Sequence, residues 1–152
     1  MGPINWQDLY GQRFRAYLCP PRTGYYTFWI LSDDDSNLYI SPDDNPATRS
    51  RIAFASSNTG PSWTTFDSQH SPEIYLEGGR RYFIESVHRE GWGSDYMAVG
   101  WTGPFMNATP QVIEQQYLIP YTPVATATPV TLPRCDLLQT RVNNQIYLQD
   151  NS

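Results

Sequence analysis

Lysine is absent from this sequence of 152 residues, so all 10 basic residues are arginine. Acidic residues number 15, and the formal net charge is −5. Nucleic acids and anionic membranes recognise clustered positive charge, which an acidic chain without a basic stripe does not supply. The charge balance therefore excludes nucleic acid as a partner and favours cations and neutral, hydroxyl-rich ligands.

Long apolar runs are also absent, since no stretch approaches the ~20 residues that a membrane-spanning helix requires. The first residues, MGPINWQ, lack the basic and apolar regions of a secretory signal. We therefore expect no membrane insertion. The chain is either a cytosolic protein or the mature part of an exported one.

Cysteine is scarce, with only Cys19 and Cys135 in the chain. One long disulfide between the first predicted strand and the C-terminal tail would be typical of an exported protein. Two buried free thiols fit the cysteine count equally well. The triplet that begins at Asn107 is a glycosylation sequon, a short pattern that also arises by chance. The two features together predict an extracellular protein, either secreted or at the cell surface.

The period of an amphipathic helix is missing throughout the sequence. Short alternating runs separated by turn residues occur instead, and the aromatic content of 14% suits strands, where flat rings pack on a pleated surface. In residues 73–90, Gly78-Gly79 stands between two such runs and predicts a two-residue β-hairpin. Other strands are predicted at residues 13–19, 25–31, 37–41, 52–55 and 96–101. Six or more short strands without helices between them predict an all-β fold, an antiparallel β-sandwich or barrel.

Composition divides the chain into three parts. Residues 1–119 hold the predicted strands and form a β domain. Residues 120–134 are rich in Pro, Thr and Ala, which is typical of an extended, semi-rigid linker. Residues 135–152 form a strand-like tail, in which the predicted strand at 144–148 has no partner in its own neighbourhood.

Three consecutive aspartates interrupt the run TFWILSDDDSNLYI, residues 27–40. A solvated turn is the plainest explanation, because Asp, Ser and Asn side chains bond nearby backbone amides. A helix-loop-helix calcium loop is excluded, because Leu38 occupies its glycine position and Asp44 its glutamate position. A hard-cation site, assembled across loops from carboxylates, backbone carbonyls and water, is the third explanation. The aspartates alone leave the first and the third open.

Two stretches resemble a known family. Residues 24–41, GYYTFWILSDDDSNLYIS, and 74–104, IYLEGGRRYFIESVHREGWGSDYMAVGWTGP, are similar to the carbohydrate-associated domain named after the anthrax protective antigen. The similarity extends over about residues 11 to 104 and includes the Ser-Asp-Asp bend and the loop GWGSD. It implies a β-sandwich or barrel that is usually one module of a larger secreted or surface protein.

The resemblance also implies a calcium (Ca2+) site and a sugar site. In lectin members of the family, two aspartates joined by a cis peptide hold calcium together with an Asn or Asp of a later loop. These positions fall on Asp33, Asp34 and Asp95. Vicinal hydroxyls of a neutral sugar would chelate the ion next to Asp33, and Ser94 and the ring of Trp92 would contact the sugar. A tryptophan buried in the core is the alternative reading of Trp92.

Signatures of catalysis are missing from the sequence, which has no G-x-S-x-G, no CxxC and no phosphate-binding loop. The spacing of the glutamates does not single out the carboxylate pair of a glycosidase. His88 shares a strand face with apolar residues, which predicts a structural role. We therefore expect a chain that is not an enzyme.

Assembly is the alternative function. The predicted strand at 144–148 follows a semi-rigid linker and resembles a donor strand that completes the sheet of a neighbouring copy. Repeated head to tail, this contact would build an extracellular fibre. A disulfide between Cys19 and Cys135 of one chain would fix the tail to its own domain, whereas a disulfide between chains would link subunits covalently.

Overall fold

A computed structural model of the protein describes residues 9–104, 106–123 and 135. The predicted linker from residue 124 onward lies outside the described residues, as does the predicted tail after Cys135. The predicted strand at 144–148 also lies outside them. The fold below is therefore that of the predicted β domain.

Nine β-strands form the fold of the described ranges. They are β1 Gly11–Leu18, β2 Gly24–Asp33, β3 Asp35–Ile40, β4 Ser50–Ala55, β5 Ile74–Leu76, β6 Tyr82–Arg89, β7 Tyr96–Thr102, β8 Gln111–Val112 and β9 Leu118–Pro120. Helical structure in these ranges is limited to three turns of 3-10 helix, and none is long and apolar enough to span a membrane. The all-β prediction is confirmed.

The strands form two antiparallel sheets that enclose the core. The five-stranded sheet has the order β4-β3-β6-β1-β9, and the four-stranded sheet has the order β5-β2-β7-β8. In β2, alternate residues Tyr26, Phe28 and Ile30 point into the core and are buried, as the two-residue period of a strand requires. Trp101 of β7 stacks on Tyr26, with ring centroids 5.3 Å apart.

The predicted hairpin at Gly78-Gly79 is wrong, although the turn itself exists. Gly79 has a φ of +78°, but β5 pairs with β2 whereas β6 pairs with β1 and β3, so the two strands lie in different sheets. The turn has its own hydrogen bond, which Arg80 N donates to Glu77 O at 3.2 Å, and it is also bonded to the β1–β2 connection. Gly79 N donates to Pro20 O at 3.0 Å, and Gly78 N donates to Thr23 Oγ1 at 2.9 Å. Alternation shows which face of a strand is buried, but not which strand becomes its partner.

A disulfide joins Cys19, directly after β1, to Cys135 of the same chain. The two Cα atoms are 5.4 Å apart, although 116 positions separate the residues in sequence. The sulfur atoms pack in a small second core with Tyr17, Phe83 and Ile119. The start of the predicted tail is thereby fixed to the β domain.

Candidate functional site

The aspartate bend lies where the chain crosses between the two sheets. β2 ends at Asp33 and β3 begins at Asp35, and these strands belong to opposite sheets. The loop 90–95 makes a second crossover at the same end, because β6 pairs with β3 and β7 pairs with β2. In register, Asp35 faces Arg89 and Asp33 faces Tyr96. Strand pairing therefore places side by side the two loops that the sequence singled out.

Asp34 connects the two crossovers. Its peptide bond with Asp33 is cis, which is the form that the resemblance implies. Gly91 N, on the second crossover, donates a hydrogen bond of 2.9 Å to Asp34 Oδ2. A Cβ atom at position 91 would lie 2.7 Å from that oxygen, which is too close for any other residue without a shift. With any other residue at position 91, the carboxylate of Asp34 would have to move from this position.

Asp95 is fully buried immediately before β7. Tyr10, just before β1, donates a hydrogen bond of 2.7 Å to Asp95 Oδ2. Burial, the hydrogen bond to Asp95 and the charge of that carboxylate raise the pKa of Tyr10 to about 12, so the phenol keeps its proton at neutral pH. A buried carboxylate requires such donors, because it has lost its contacts with water. Sequence reasoning missed Tyr10, since 85 positions separate it from Asp95.

Asp33 is only 6% exposed and is close to the other two carboxylates. Burial raises the pKa of its carboxyl group, the charge of Asp34 raises it further, and Asp95 acts in the same direction. His88 and a hydrogen bond with Asn58 oppose this shift. Like charges act in this way only at short range. Of the three aspartates predicted from the sequence, Asp33 therefore lies within electrostatic range of both Asp34 and Asp95.

Asn58 is a second residue that sequence reasoning missed. It lies in the loop between β4 and β5, and its side chain is hydrogen-bonded to Asp33. Its Oδ1 atom accepts a hydrogen bond of 3.0 Å from the hydroxyl of Tyr96. Nothing in the polar, turn-rich sequence around Asn58 distinguishes it from its neighbours, because its role depends on how this loop packs over β2.

His88 supports the backbone of the bend from the neighbouring strand. Its Nε2 atom is hydrogen-bonded to the carbonyl oxygen of Asp33, and the side chain is 1% exposed. The ring also meets Tyr10 edge to face, with centroids 6.1 Å apart. His88 thus packs beneath the site, in the structural role that its strand position predicts.

Trp92 is 74% exposed, so the alternative of a core tryptophan is wrong. It lies at the tip of the second crossover beside Ser94, which is also exposed. Between them, Gly93 has a φ of +110°, a backbone conformation that glycine adopts far more readily than other residues. The loop therefore presents an aromatic ring and a hydroxyl to solvent next to the aspartates.

The chemistry of this end of the domain fits a hard cation. Carboxylate and backbone oxygens are the ligands that calcium prefers, and a divalent charge offsets the repulsion among carboxylates. Within the described ranges, no three acidic, histidine or cysteine side chains already converge as metal ligands. The structure thus shows neighbouring oxygen donors, and calcium sites are typically completed by backbone carbonyls and water.

Asn107, the predicted glycosylation site, is exposed between β7 and β8. Its side chain is therefore open to solvent, as a glycosylation acceptor must be. Modification of Asn107 stays a prediction.

These features define a β-sandwich domain with an acidic crossover at one end. A family model described as the PA14 domain matches residues 6–111, which is most of the chain. The chain belongs to the PA14 domain family, the protective-antigen family that the sequence resembles.

Curated relatives are much longer proteins. Over 124 residues the chain is 33% identical to the mouse (Mus musculus) N-acetyl-beta-glucosaminyl-glycoprotein 4-beta-N-acetylgalactosaminyltransferase 1. This alignment covers 77% of this chain and 12% of the mouse protein. Over 94 residues the chain is 34% identical to human (Homo sapiens) fibrocystin-L, and this alignment covers 62% of this chain and 2% of fibrocystin-L. The chain thus spans only a small part of the length of these relatives.

Solved structures share the fold at low sequence identity. The A domain of epithelial adhesin 6 from Candida glabrata, in complex with Galb1-3GlcNAc, has a TM-score of 0.58 at 16% identity and covers 75% of this chain and 52% of that chain. An anti-sigma factor domain-containing protein from Clostridium clariflavum has a TM-score of 0.55 at 20% identity and covers 73% of this chain and 33% of that chain. These similarities support the β-sandwich architecture.

Proposed function

We propose that this domain binds neutral glycans through one calcium ion held by Asp33, Asp34 and Asp95. The observation that carries the proposal is the position of these aspartates on two adjacent crossovers, where Asp33 is within electrostatic range of the other two and Trp92 of the second crossover is exposed. Two of these aspartates make contacts that a solvated turn does not require. Asp34 reaches across to the backbone of Gly91, and Asp95 is buried with a phenol as donor.

The residues divide the work of recognition. When bound, calcium supplies coordination positions that two vicinal hydroxyls of a sugar fill in place of water. Trp92 covers the apolar face of the sugar ring, and Ser94 exchanges hydrogen bonds with a hydroxyl. Three carboxylates exceed the charge of one divalent ion, so the site keeps a negative charge and favours neutral sugars over acidic ones.

Similar structures support a glycan as the ligand. The A domains of epithelial adhesins 6 and 9 from Candida glabrata, with TM-scores of 0.58 and 0.52, were solved with Galb1-3GlcNAc and Galb1-4GlcNAc respectively. An extracellular or cell-surface location accords with adhesins and with the disulfide between Cys19 and Cys135, since such bonds persist in oxidising compartments.

We also propose that the chain is a binding module and not an enzyme. The galactosaminyltransferase relative shares with it only 12% of its length, so the similarity does not extend over that whole protein. Within a longer enzyme, a domain of this kind would deliver the catalytic part to its glycan. Elsewhere it would serve adhesion directly.

A glycan array tests the proposal most directly. The chain is applied once with millimolar calcium and once with a chelator. We expect signal on neutral sugars that disappears with the chelator. Equal signal in both conditions would remove calcium from the mechanism, and the absence of signal in both would remove glycan binding.

The fibre alternative has less support in the described residues. The disulfide between Cys19 and Cys135 lies within one chain and fixes the start of the tail to its own β domain. The predicted donor strand at 144–148 lies outside the described residues, so donation to a neighbour stays a prediction. On a non-reducing gel, a ladder of covalent oligomers would favour the fibre, and a purely monomeric band would weaken it.

A further inference from the structure

Arginines lie together on the outer face of the five-stranded sheet. In β6, Ile84 packs in the core between the sheets, so its neighbour Glu85 points to the outer face. Strand register aligns Glu85 with Arg15 of β1 and with Tyr39 of β3. Tyr39 is aligned in turn with Arg51 of β4. One row across the outer face therefore begins and ends with an arginine.

Two further arginines lie beside this row. Arg49 Nε is 3.1 Å from Glu85 Oε1, and Arg13 Nε is 3.9 Å from Glu85 Oε2. We call the set of four the arginine cluster, and its members, all exposed, are Arg13, Arg15, Arg49 and Arg51. Four positive charges against the one negative charge of Glu85 give the cluster and its central carboxylate a formal charge of +3.

Neutralisation of Glu85 does not explain the whole cluster. Glu85 is 4% exposed, and a buried carboxylate requires a partner. Arg49 is such a partner, because its Nε donates a hydrogen bond of 3.1 Å to Glu85. Within the described residues, neither Arg15 nor Arg51 is ion-paired with a carboxylate. These two guanidinium groups keep their charge for a ligand.

Aromatic rings hold the same two guanidinium groups in place. The guanidinium carbon of Arg15 lies 4.7 Å from the ring centroid of Tyr121, and that of Arg51 lies 4.4 Å from the ring centroid of Phe54. Arg51 also donates a hydrogen bond of 3.1 Å to Asn37 Oδ1. A guanidinium that lies over a ring keeps other N–H donors at its edge, and an ordered side chain loses less entropy on binding.

The size of the cluster indicates a ligand with several anionic groups. Neighbouring strands lie about 4.8 Å apart, so the backbones of Arg15 in β1 and Arg51 in β4 are roughly 14 Å apart across three strand spacings. One sulfate or carboxylate group is too small to reach both ends of the row. A ligand that contacts the whole cluster therefore carries its anionic groups along an extended chain.

The charge of the rest of the molecule directs such a ligand to this face. The whole chain has a formal charge of −5, so the chain outside the +3 of the cluster and Glu85 carries −8. A polyanion is attracted to the cluster and repelled by the remainder. The sequence shows no basic stripe, because the cluster combines β1 with the distant segment 49–51 through the pairing of β1, β6, β3 and β4.

We propose that the arginine cluster binds a linear acidic polysaccharide whose rings carry sulfate or carboxylate groups. Guanidinium groups bind such anions through paired N–H donors. The proposed extracellular location favours a polysaccharide over nucleic acid as the polyanion. None of the proposed calcium ligands belongs to the cluster, so this site is separate from the neutral-glycan site.

Calorimetric titration of the full chain, once with calcium and once with a chelator, tests the proposal. The probes are a heparin dodecasaccharide, which carries sulfate and carboxylate groups, a hyaluronan dodecasaccharide, which carries carboxylate groups alone, and a single-stranded DNA dodecamer. We expect at least one polysaccharide to bind more tightly than the DNA, with the same affinity in the chelator. Binding of heparin alone would identify sulfate as the recognised group, and binding of both would identify either anion.

Variants of the cluster locate the binding. The double variant Arg15→Gln, Arg51→Gln removes two charges and breaks no ion pair among the described residues. In about 0.1 M salt, where distant charges are screened, it should weaken binding about tenfold or more. The slope of log affinity against log salt concentration should fall by about 2, one for each arginine. Arg51→Gln alone should lower this slope by about 1.

The matched control is the double variant Arg22→Gln, Arg80→Gln. Both arginines are exposed, and they lie in the turns after β1 and after β5, outside the cluster. The control removes the same two charges, yet it should change the affinity for the polysaccharide by less than about twofold.

Four results would overturn the proposal. They are the failure of both polysaccharides to bind in about 0.02 M salt, equal weakening in the cluster and control variants, DNA binding as tight as that of either polysaccharide, and loss of binding in the chelator. The last result would transfer the binding to the aspartates. The neutral-glycan function is tested separately by the glycan array, so either proposal is able to fail alone.

Discussion

Replacing Tyr10 with phenylalanine tests the calcium site from beneath. The change removes one oxygen atom and, with it, the hydrogen bond of 2.7 Å to Asp95. The ring remains, and so does its edge contact with His88 at 6.1 Å. Asp95 is fully buried, so water cannot replace the lost donor without rearrangement. The effect of Tyr10→Phe therefore reports on the orientation and solvation of one carboxylate.

The expected magnitude follows from the charge on that carboxylate. A hydrogen bond to a charged group contributes about 1.5–3 kcal/mol. Loss of a partner that orients a metal ligand costs about 10–100-fold in metal affinity, and each factor of ten corresponds to about 1.4 kcal/mol. The two estimates agree. We expect Tyr10→Phe to weaken calcium binding by about 10–100-fold, and to lower the free energy of unfolding of the calcium-free protein by about 1–3 kcal/mol.

Calorimetric titration with calcium and denaturation in chelator measure these two effects. The matched control is Tyr25→Phe, because Tyr25 is 61% exposed and packs against Tyr75 at the far end of β2. The control should change calcium affinity by less than about twofold. A folded Tyr10→Phe variant with wild-type calcium affinity would show that Asp95 does not hold the ion, and the reasoning from its burial would fail.

Three further substitutions probe the same end of the domain. Gly91→Ala places a Cβ atom 2.7 Å from Asp34 Oδ2 and should weaken calcium binding about tenfold or more, as measured by calorimetry. The control is Gly11→Ala, which should leave calcium affinity unchanged because the nearest neighbour of its Cβ atom is 3.8 Å away. Trp92→Ala should weaken glycan binding on an array while leaving calcium affinity nearly intact, because the ring is exposed and its removal leaves the aspartates in place. Asp33→Asn should abolish measurable calcium binding, yet raise the free energy of unfolding of the calcium-free protein at pH 7, as measured by urea denaturation, because it removes a carboxylate whose ionised form is disfavoured by burial and by Asp34.

The pH dependence of the Asp33 effect has a definite sign. In the folded, calcium-free protein the pKa of Asp33 is raised above its usual value by burial and by the charge of Asp34. The folded state therefore binds this proton more tightly than the unfolded state. The contribution of Asp33 to stability is fully present below the unfolded pKa and is lost as pH rises through the folded pKa. The difference in free energy of unfolding between Asp33→Asn and wild type should accordingly shrink as pH falls from 7 towards 4. A difference that grows would show that the pKa of Asp33 is not raised in the folded protein.

A different result would contradict each of the predictions for Gly91→Ala, Trp92→Ala and Asp33→Asn. Wild-type calcium affinity in Gly91→Ala would mean that Asp34 has room to move aside without loss. Joint loss of calcium and glycan binding in Trp92→Ala would make the ring structural. Unchanged calcium titration in Asp33→Asn would remove Asp33 from the ligands.

Repulsion among the aspartates gives the site a cost in stability that a ligand is able to offset. Asp33 is buried near Asp34 and Asp95, and each charge makes the ionised form of Asp33 less favourable. Clusters of like charge persist in folded domains mainly where they serve function. This is the physical reason for preferring a binding site over a solvated turn as the explanation of Asp33 and Asp34.

The alternation of apolar and polar residues was sufficient to predict most of the strands. The alternation in residues 25–31 marks the buried faces of β2, and the observed strand Gly24–Asp33 carries Tyr26, Phe28 and Ile30 into the core. The same signal gave a wrong prediction at Gly78-Gly79, because the strands before and after that turn pair in different sheets. Strands of only two or three residues, β8 and β9, are too short to show any period.

The sequence by itself determined the all-β class, the acidic character and, through the resemblance, the pair of loops that bear Asp33, Asp34 and Asp95. These are properties of local runs of residues, whose alternation and charge persist in any arrangement of the sheets. Only the tertiary structure decided that Tyr10 is hydrogen-bonded to Asp95 and that Asn58 reaches Asp33. Such contacts arise because β2, β3, β6 and β7 pair across two sheets, and the pairing of distant strands depends on how the whole core packs.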